Sequence, residues 1–215
     1  MCVNCIVDMA DNYLEKRYEE VFGAGAAKKS PVRHGTPSLN TLLVKNRTVR
    51  RYKQDAHVTA EQLRSIVEVN TKIASAMNRQ ALRYRLVVGD DVAPLREILF
   101  REPARSGSAT AFIVVYTAIP EDRYIDIDLG ISLQSMALKA TELGLNCLIK
   151  GNIDRGLIRN LFQDETNEPL AVLCIGKAAE SVFLKPAEGD SPDLTPYTKD
   201  GVHYVPKLRL DDILI

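Results

Sequence analysis

Five cationic side chains, Lys45, Arg47, Arg50, Arg51 and Lys53, fall within nine positions of the stretch KNRTVRRYK. Arginine offers a rigid fork of N–H donors suited to phosphate or carboxylate, and the Thr48 hydroxyl among them adds one more donor. A charge run taken alone has a simpler reading, a solvated basic turn. Three further stretches carry polar groups at spacings that chemistry could use. In ASAMNRQA, Ser75, Asn78 and Gln80 stand where a helix gives way to a strand, although polar residues also close turns there. In KGNID, Gly151 and Asn152 follow a strand and lead into a helix, so free backbone N–H groups face outward. In PKLR, Lys207 and Arg209 occupy alternate positions of an extended segment and therefore one face.

The rest of the chain explains none of these cations globally. Lys+Arg and Asp+Glu are balanced at 28 each, which argues against a nucleic-acid or membrane-surface partner and leaves the cations at 45–53 to act locally. No apolar run approaches the roughly 20 residues of a bilayer span, and the opening MCVNCIVDMADNYLEKR lacks a basic leader, so a cytoplasmic location is expected. Met9 is an alternative start. Cys2 and Cys5 form a C-x-x-C without the context of a redox or zinc site, and His34, His57 and His203 show no metal spacing. Cys147 and Cys174 lie in apolar runs, as small buried hydrophobes do. Tyr52, Tyr84 and Tyr124 read as core residues with satisfied hydroxyls.

The elements that must hold these groups follow from periodicity. At 215 residues with 46% hydrophobic content the chain supports one core with an extension, residues 1–37 and 38–215. The extension reads as a short amphipathic helix at 11–23 and a Gly- and Pro-rich arm; its GAGAAK lacks the preceding strand that a dinucleotide loop requires. Ser38 heads a helix at 39–46. Thr59 followed by Gln62 is a capping box for a helix running on to Ile73 and Ala74. Short β-branched runs at 83–89, 111–117, 145–151 and 170–176 predict one mixed sheet flanked by helices. The segment DLGISLQSMALKATELGL leaves almost no polar face, which predicts a helix covered by the sheet on one side and by a second subunit on the other, ended by Gly144 at positive φ. Asp154 caps a further helix with Leu157, Ile158, Leu161 and Phe162 on its buried face.

Taken in order, RTVRRY, ASAMNRQA, DLGISLQSMALKATELGL, GNID and PKLR resemble the motif set of the FMN-dependent nitroreductase family from about Leu39 to the C-terminus. The resemblance implies an α+β fold, a central mixed sheet flanked by helices, and an intertwined homodimer with FMN at the interface. It implies that Arg47, Thr48 and Arg50 meet the phosphate, ribityl chain and pyrimidine edge of the flavin, and that Lys207 and Arg209 complete the phosphate site. Ser75, Ala76 and Asn78 would reach the ring from the partner subunit, and Gly151 and Asn152 would offer backbone N–H groups to N5 and O4. The implied activity is transfer of hydride from NADH or NADPH, through flavin N5, to an electron-poor small molecule such as a nitroaromatic or quinone, with no catalytic side chain and no metal.

The chain also departs from that pattern. Asn46 stands in place of a first arginine, Ala74 in place of proline, Ala81-Leu82 in place of Pro-Trp, and Asn152-Ile153 in place of Gly-Phe; Lys150 is a candidate to replace the missing charge. The weakened phosphate site keeps a second reading open, a protein that stores, delivers or degrades FMN without NAD(P)H turnover. A nucleic-acid module built on RTVRRYK is the reading from another class, and the neutral net charge opposes it.

Overall fold

In the computed structural model, residues 37–100, 109–189 and 193–215 are described. The helix expected at 11–23, most of the arm, Cys2, Cys5 and His34 lie outside them. The unit Leu39–Ile215 is built on the most strongly β-branched runs of the chain. They form β1 (Leu82–Val87), β2 (Ala111–Thr117), β3 (Asn146–Lys150) and β4 (Glu168–Gly176), within two residues of the expected bounds at every end. Their order is β1-β2-β4-β3, and neighbouring strands run antiparallel. Parallel pairing enters at the β3 edge, where Thr48 bridges Cys147.

Both faces of this sheet are covered, which is why β2 and β4 read as continuous apolar runs. Ala111, Ile113 and Val115 of β2 pack towards Leu63 and Ile66 of α2 (Ala60–Val67; α1 is Leu39–Lys45). On the same side lie Leu133, Met136 and Ala140 of the long helix at Arg123–Glu142. Phe112, Val114 and Tyr116 point the other way, to Val92, Leu95 and Leu99 of α3 (Val92–Leu99). The long helix is α4 in chain order, and α5 (Arg155–Phe162) adds Ile158 to the second layer. Each fully buried aliphatic or aromatic side chain of this kind contributes about 1.5–3 kcal/mol through its burial.

The Thr59 capping box forms as expected, with the Gln62 amide donating to Thr59 Oγ1 at 3.2 Å and the Thr59 amide to Gln62 Oε1 at 2.9 Å. The helix stops at Val67, however, and continues only as a 3-10 turn over Glu68–Thr71. Side chains there compete with the helix: Asn70 Nδ2 donates to the Val67 carbonyl at 2.8 Å and Thr71 Oγ1 to the Glu68 carbonyl at 2.8 Å. Gly144 has the expected positive φ of 73°. Asp154 caps α5, accepting from the Leu157 amide at 3.0 Å, but the Leu157 side chain is 49% exposed, so the buried face of α5 is narrower than its apolar residues suggest. Tyr124, expected in the core, is likewise 52% exposed on the outer side of α4.

Residues beyond β4 form a second sheet, with β5 (Ser181–Pro186) parallel to β7 (Val202–Lys207) and β6 (Tyr197–Lys199) antiparallel to it. Phe183, Tyr204 and Tyr197 line up across it, with ring centroids 6.5 and 5.3 Å apart, the cross-strand aromatic contacts that a small sheet needs. Among the described residues no helix is long and apolar enough to cross a membrane.

Candidate functional site

The cationic stretch is laid along the edge of the main sheet as an extended segment. The Val49 amide donates to the Cys147 carbonyl at 3.0 Å, the Lys53 amide to the Lys177 carbonyl at 2.8 Å, and the Ala179 amide to the Arg51 carbonyl at 2.8 Å. Glu180 Oε1 accepts from the backbone amides of Arg50 and Arg51. Val49 and Tyr52 are thereby turned into the core while Arg50 and Arg51 face solvent. The Tyr52 hydroxyl donates to the Val49 carbonyl at 2.6 Å, and burial pushes its pKa far above the usual phenol range, so it stays protonated. Its ring lies on Gly176, where an added Cβ would meet Tyr52 Cδ1 at 2.7 Å.

Where this segment leaves α1 it borders a cleft of about 240 Å³. One wall is Asn46, Arg47 and Thr48; α4 contributes Gln134 and Ala137, β3 contributes Cys147 and Ile149, and the small sheet contributes Val182, Val205 and Lys207. Arg47 is half-buried. Its Nη2 donates to the Leu43 carbonyl of α1, its Nε is buried without a hydrogen-bond partner among the described residues, and burial lowers its pKa. Among the described residues no carboxylate pairs with Arg47 or Lys207. A partly desolvated guanidinium beside an ammonium, with no counter-charge, is an arrangement completed by an anion, and the Thr48 hydroxyl adds a neutral donor. Burial pushes the Cys147 thiol up, and that of Cys174 up to about 12, so the cleft holds no thiolate nucleophile at neutral pH.

Of the residues expected from the sequence, Arg47, Thr48 and Lys207 therefore meet in one cleft. Arg50 does not line it, although its backbone is pinned beside it by Glu180. Arg209 begins the turn Leu210–Asp212, and its guanidinium is paired with Asp212 through two contacts of 3.1 Å. Gly151 and Asn152 follow Ile149 and Lys150 at the open end of β3, and a Cβ on Gly151 would meet nothing within 4 Å. The glycine leaves room there for something outside its own chain. Lys150 points to the opposite side of β3 from Cys147 and Ile149, with Nζ 5.0 Å from the Phe100 ring centroid, so it does not replace the missing cation at Asn46.

Ser75, Ala76 and Asn78 occupy a separate turn against the N-terminal half of α4. Met77, Asn78 and Gln80 are all left-handed, with φ of 53°, 53° and 47°. The Gln80 amide donates to Ser75 Oγ at 3.1 Å, and Arg79 forms a bidentate pair with Asp122 at 2.8 and 3.0 Å. Asp122 also caps α4, accepting from the Tyr124 and Ile125 amides at 2.9 Å each. The Arg79 guanidinium, then the Ile125 amide, hold the Asp122 carboxyl well below the usual carboxylate range. A depressed carboxylate contributes stability that is complete above its unfolded pKa of about 3.9 and is lost as pH falls towards the folded value. Asp122→Asn is therefore expected to lower the urea midpoint at pH 7 by more than at pH 3; equal losses at the two values would count against the pairing.

Sequence reasoning missed the other walls of the cleft. Val182 and Val205 belong to short strands with proline at or near their ends, which give little periodic signal. Gln134 did leave a sign, as a polar residue in the nearly continuous apolar surface of α4.

Several solved structures share this architecture. A nitroreductase family protein from Clostridium difficile aligns at 24% identity with a TM-score of 0.55, over 65% of this chain and 83% of its own. The FMN-dependent nitroreductase NfnB from Mycobacterium smegmatis, solved in complex with NADPH, aligns at 18% identity and a TM-score of 0.58, over 65% and 87%. A nitroreductase family protein from Streptococcus pneumoniae aligns at 14% identity and a TM-score of 0.62, over 83% and 99%. No protein-family model and no curated protein matches the chain.

Proposed function

We propose that this chain, which has the nitroreductase fold, works as a cytoplasmic, homodimeric FMN-dependent NAD(P)H oxidoreductase acting on electron-poor small molecules such as nitroaromatics or quinones. The observation that carries the reading is the cleft in which Arg47, half-buried and with no carboxylate partner among the described residues, stands with Thr48 and Lys207. These residues fit a phosphate dianion: two cations and a hydroxyl in a cleft whose other lining residues are mostly apolar. Arg50, pinned beside them, is assigned to the electron-rich pyrimidine edge of the reduced ring, where a cation favours the two-electron reduced form. Arg209 adds to the phosphate site by exchanging Asp212 for the ligand. The free amides of Gly151 and Asn152 are assigned to ring N5 and O4, and the open space at Gly151 permits that approach.

The bound flavin supplies the redox chemistry, taking hydride from NADH or NADPH and passing it to the acceptor. The chain's part is to hold the cofactor, offer it charge and exclude water. A second copy completes the enclosure, bringing its own Ser75, Ala76 and Asn78. The outer side of α4, with Tyr124, Ile127 and Ile131 exposed, and α1, with Leu39, Leu43 and Val44 exposed, supports a covering subunit, since such apolar patches mark association surfaces. NfnB, whose fold is similar, is FMN-dependent and was solved with NADPH, which supports the same pair of ligands here. The test is to load the purified protein with FMN, remove the excess by gel filtration and record the visible spectrum. About one flavin per chain in a dimer-sized peak is expected; a colourless dimer would overturn the reading.

A further inference from the structure

Asp128 sits on α4 at 3% exposure, where its neighbours at the sheet-facing side are apolar or, at Ser132, fully hydrogen-bonded. One carboxylate oxygen accepts from the Ala76 amide at 2.9 Å, and the other is buried with no hydrogen-bond partner among the described residues. A half-satisfied buried carboxylate lowers stability relative to an apolar residue of similar size. What this one holds is the start of the turn in which Met77, Asn78 and Gln80 adopt left-handed backbone without being glycine. Such strain persists only where surrounding contacts over-determine it. Here the side-chain contacts include Asp128 at the Ala76 amide, Asp122 at Arg79 and Arg83 Nη1 at the Gln80 carbonyl, beside the turn's own bonds from the Gln80 amide to Ser75 Oγ and from Gln80 Nε2 to Asn78 Oδ1. The Asp128 contact holds the turn at its start. The turn also carries Met77 inside it, 76% exposed, so it is presented outward rather than packed into its own chain.

We propose that Asp128 is a positioning residue that acts in trans, holding the turn of one protomer in the shape in which Ser75, Ala76 and Asn78 enter the Arg47 cleft of its partner. The inference rests on the flavin reading above. Within one chain the two places are distinct: the turn is tied to Asp122 and Asp128, whereas the cleft takes Gln134 and Ala137 further along the same helix. Removal of the carboxylate therefore weakens a flavin site whose phosphate-binding residues belong to the other chain.

Hydrogen exchange over residues 75–80 and FMN retention are measured for Asp128→Ala, for Asp128→Ser, whose hydroxyl is too short to reach the Ala76 amide, and for Asp128→Asn, which keeps an acceptor oxygen. Alanine and serine are expected to raise exchange over 75–80 and to weaken FMN by about tenfold or more, with β2 and β4 still protected; asparagine stays within about threefold of the parent in both. Hybrid dimers of one Asp128→Ala chain and one Arg47→Ala chain regain about one FMN site of parental affinity, because one site keeps both its cleft and its turn, while either homodimer has only weakened sites. Unchanged exchange over 75–80 in both the alanine and serine variants would overturn the proposal, as would hybrids no better than the homodimers. If the parent protein itself retains no FMN, the flavin reading fails, and the exchange comparison alone decides whether Asp128 holds the turn.

Discussion

Arg47→Ala is expected to weaken FMN binding by about ten- to a hundredfold, the cost of roughly 1.5–3 kcal/mol for losing a charge-assisted contact to phosphate. The same change should leave unfolding in urea nearly unaltered. Among the described residues the guanidinium makes a single hydrogen bond, to the Leu43 carbonyl, and keeps a buried Nε without a partner, so the apo protein loses little when it goes. That separation of ligand binding from stability distinguishes a site residue from a structural one. Arg50→Ala should weaken retention as well, by less, because its side chain is exposed and lies outside the cleft lining. Fluorescence titration of FMN against both variants checks the ranking. Parent-like binding by Arg47→Ala would remove the phosphate site from the cleft.

Gly176→Ala should have the largest effect on the fold that bears directly on the site. The new methyl would stand 2.7 Å from Tyr52 Cδ1 and 3.0 Å from Cγ, distances that packed carbons do not tolerate. Gly176 is the buried last residue of β4, so the strand cannot swing away, and the Tyr52 ring is the part that must yield. Overpacking of this kind costs about 1–3 kcal/mol. Tyr52 carries the segment that runs from Arg47 to Lys53 along the sheet edge, through its hydroxyl bond to the Val49 carbonyl and its bridge to Ala178. Displacement of the ring should therefore weaken FMN binding as well as stability. Urea unfolding with and without saturating FMN separates the two: a smaller ligand-induced shift of the midpoint in the variant is the expected result, and an unchanged midpoint would mean the core has slack at Tyr52.

What could be read in advance was whatever rested on local rules. The Thr59–Gln62 capping box, the Asp154 cap, the positive φ at Gly144 and the four strands of the main sheet each follow from a few neighbouring residues, and each is found. Failures came where side chains override the local pattern or where tertiary placement decides. Asn70 and Thr71 turn their own backbone away from the helix that Leu63, Ile66 and Val67 predict. Helix α3 follows a turn at Gly89–Asp91 and carries Pro94 in its first turn, and no expectation covered it. At the site, alternation correctly separates the two faces of β3, but nothing local tells Lys150 to pair with Phe100 or Arg209 with Asp212. The meeting of Arg47 with Lys207 joins residues 160 positions apart, and only the appended sheet brings them together.

The most direct test of the central claim is anaerobic addition of NADPH, then of NADH to a second sample, to the FMN-loaded protein while its visible absorption is followed, with a nitroaromatic or quinone admitted afterwards. The account predicts that the flavin band bleaches with at least one nicotinamide and returns when the acceptor is added, and that Arg47→Ala carries too little flavin to show either change. A fully loaded protein whose band survives both nicotinamides would contradict it and leave a chain that keeps FMN for storage, delivery or breakdown.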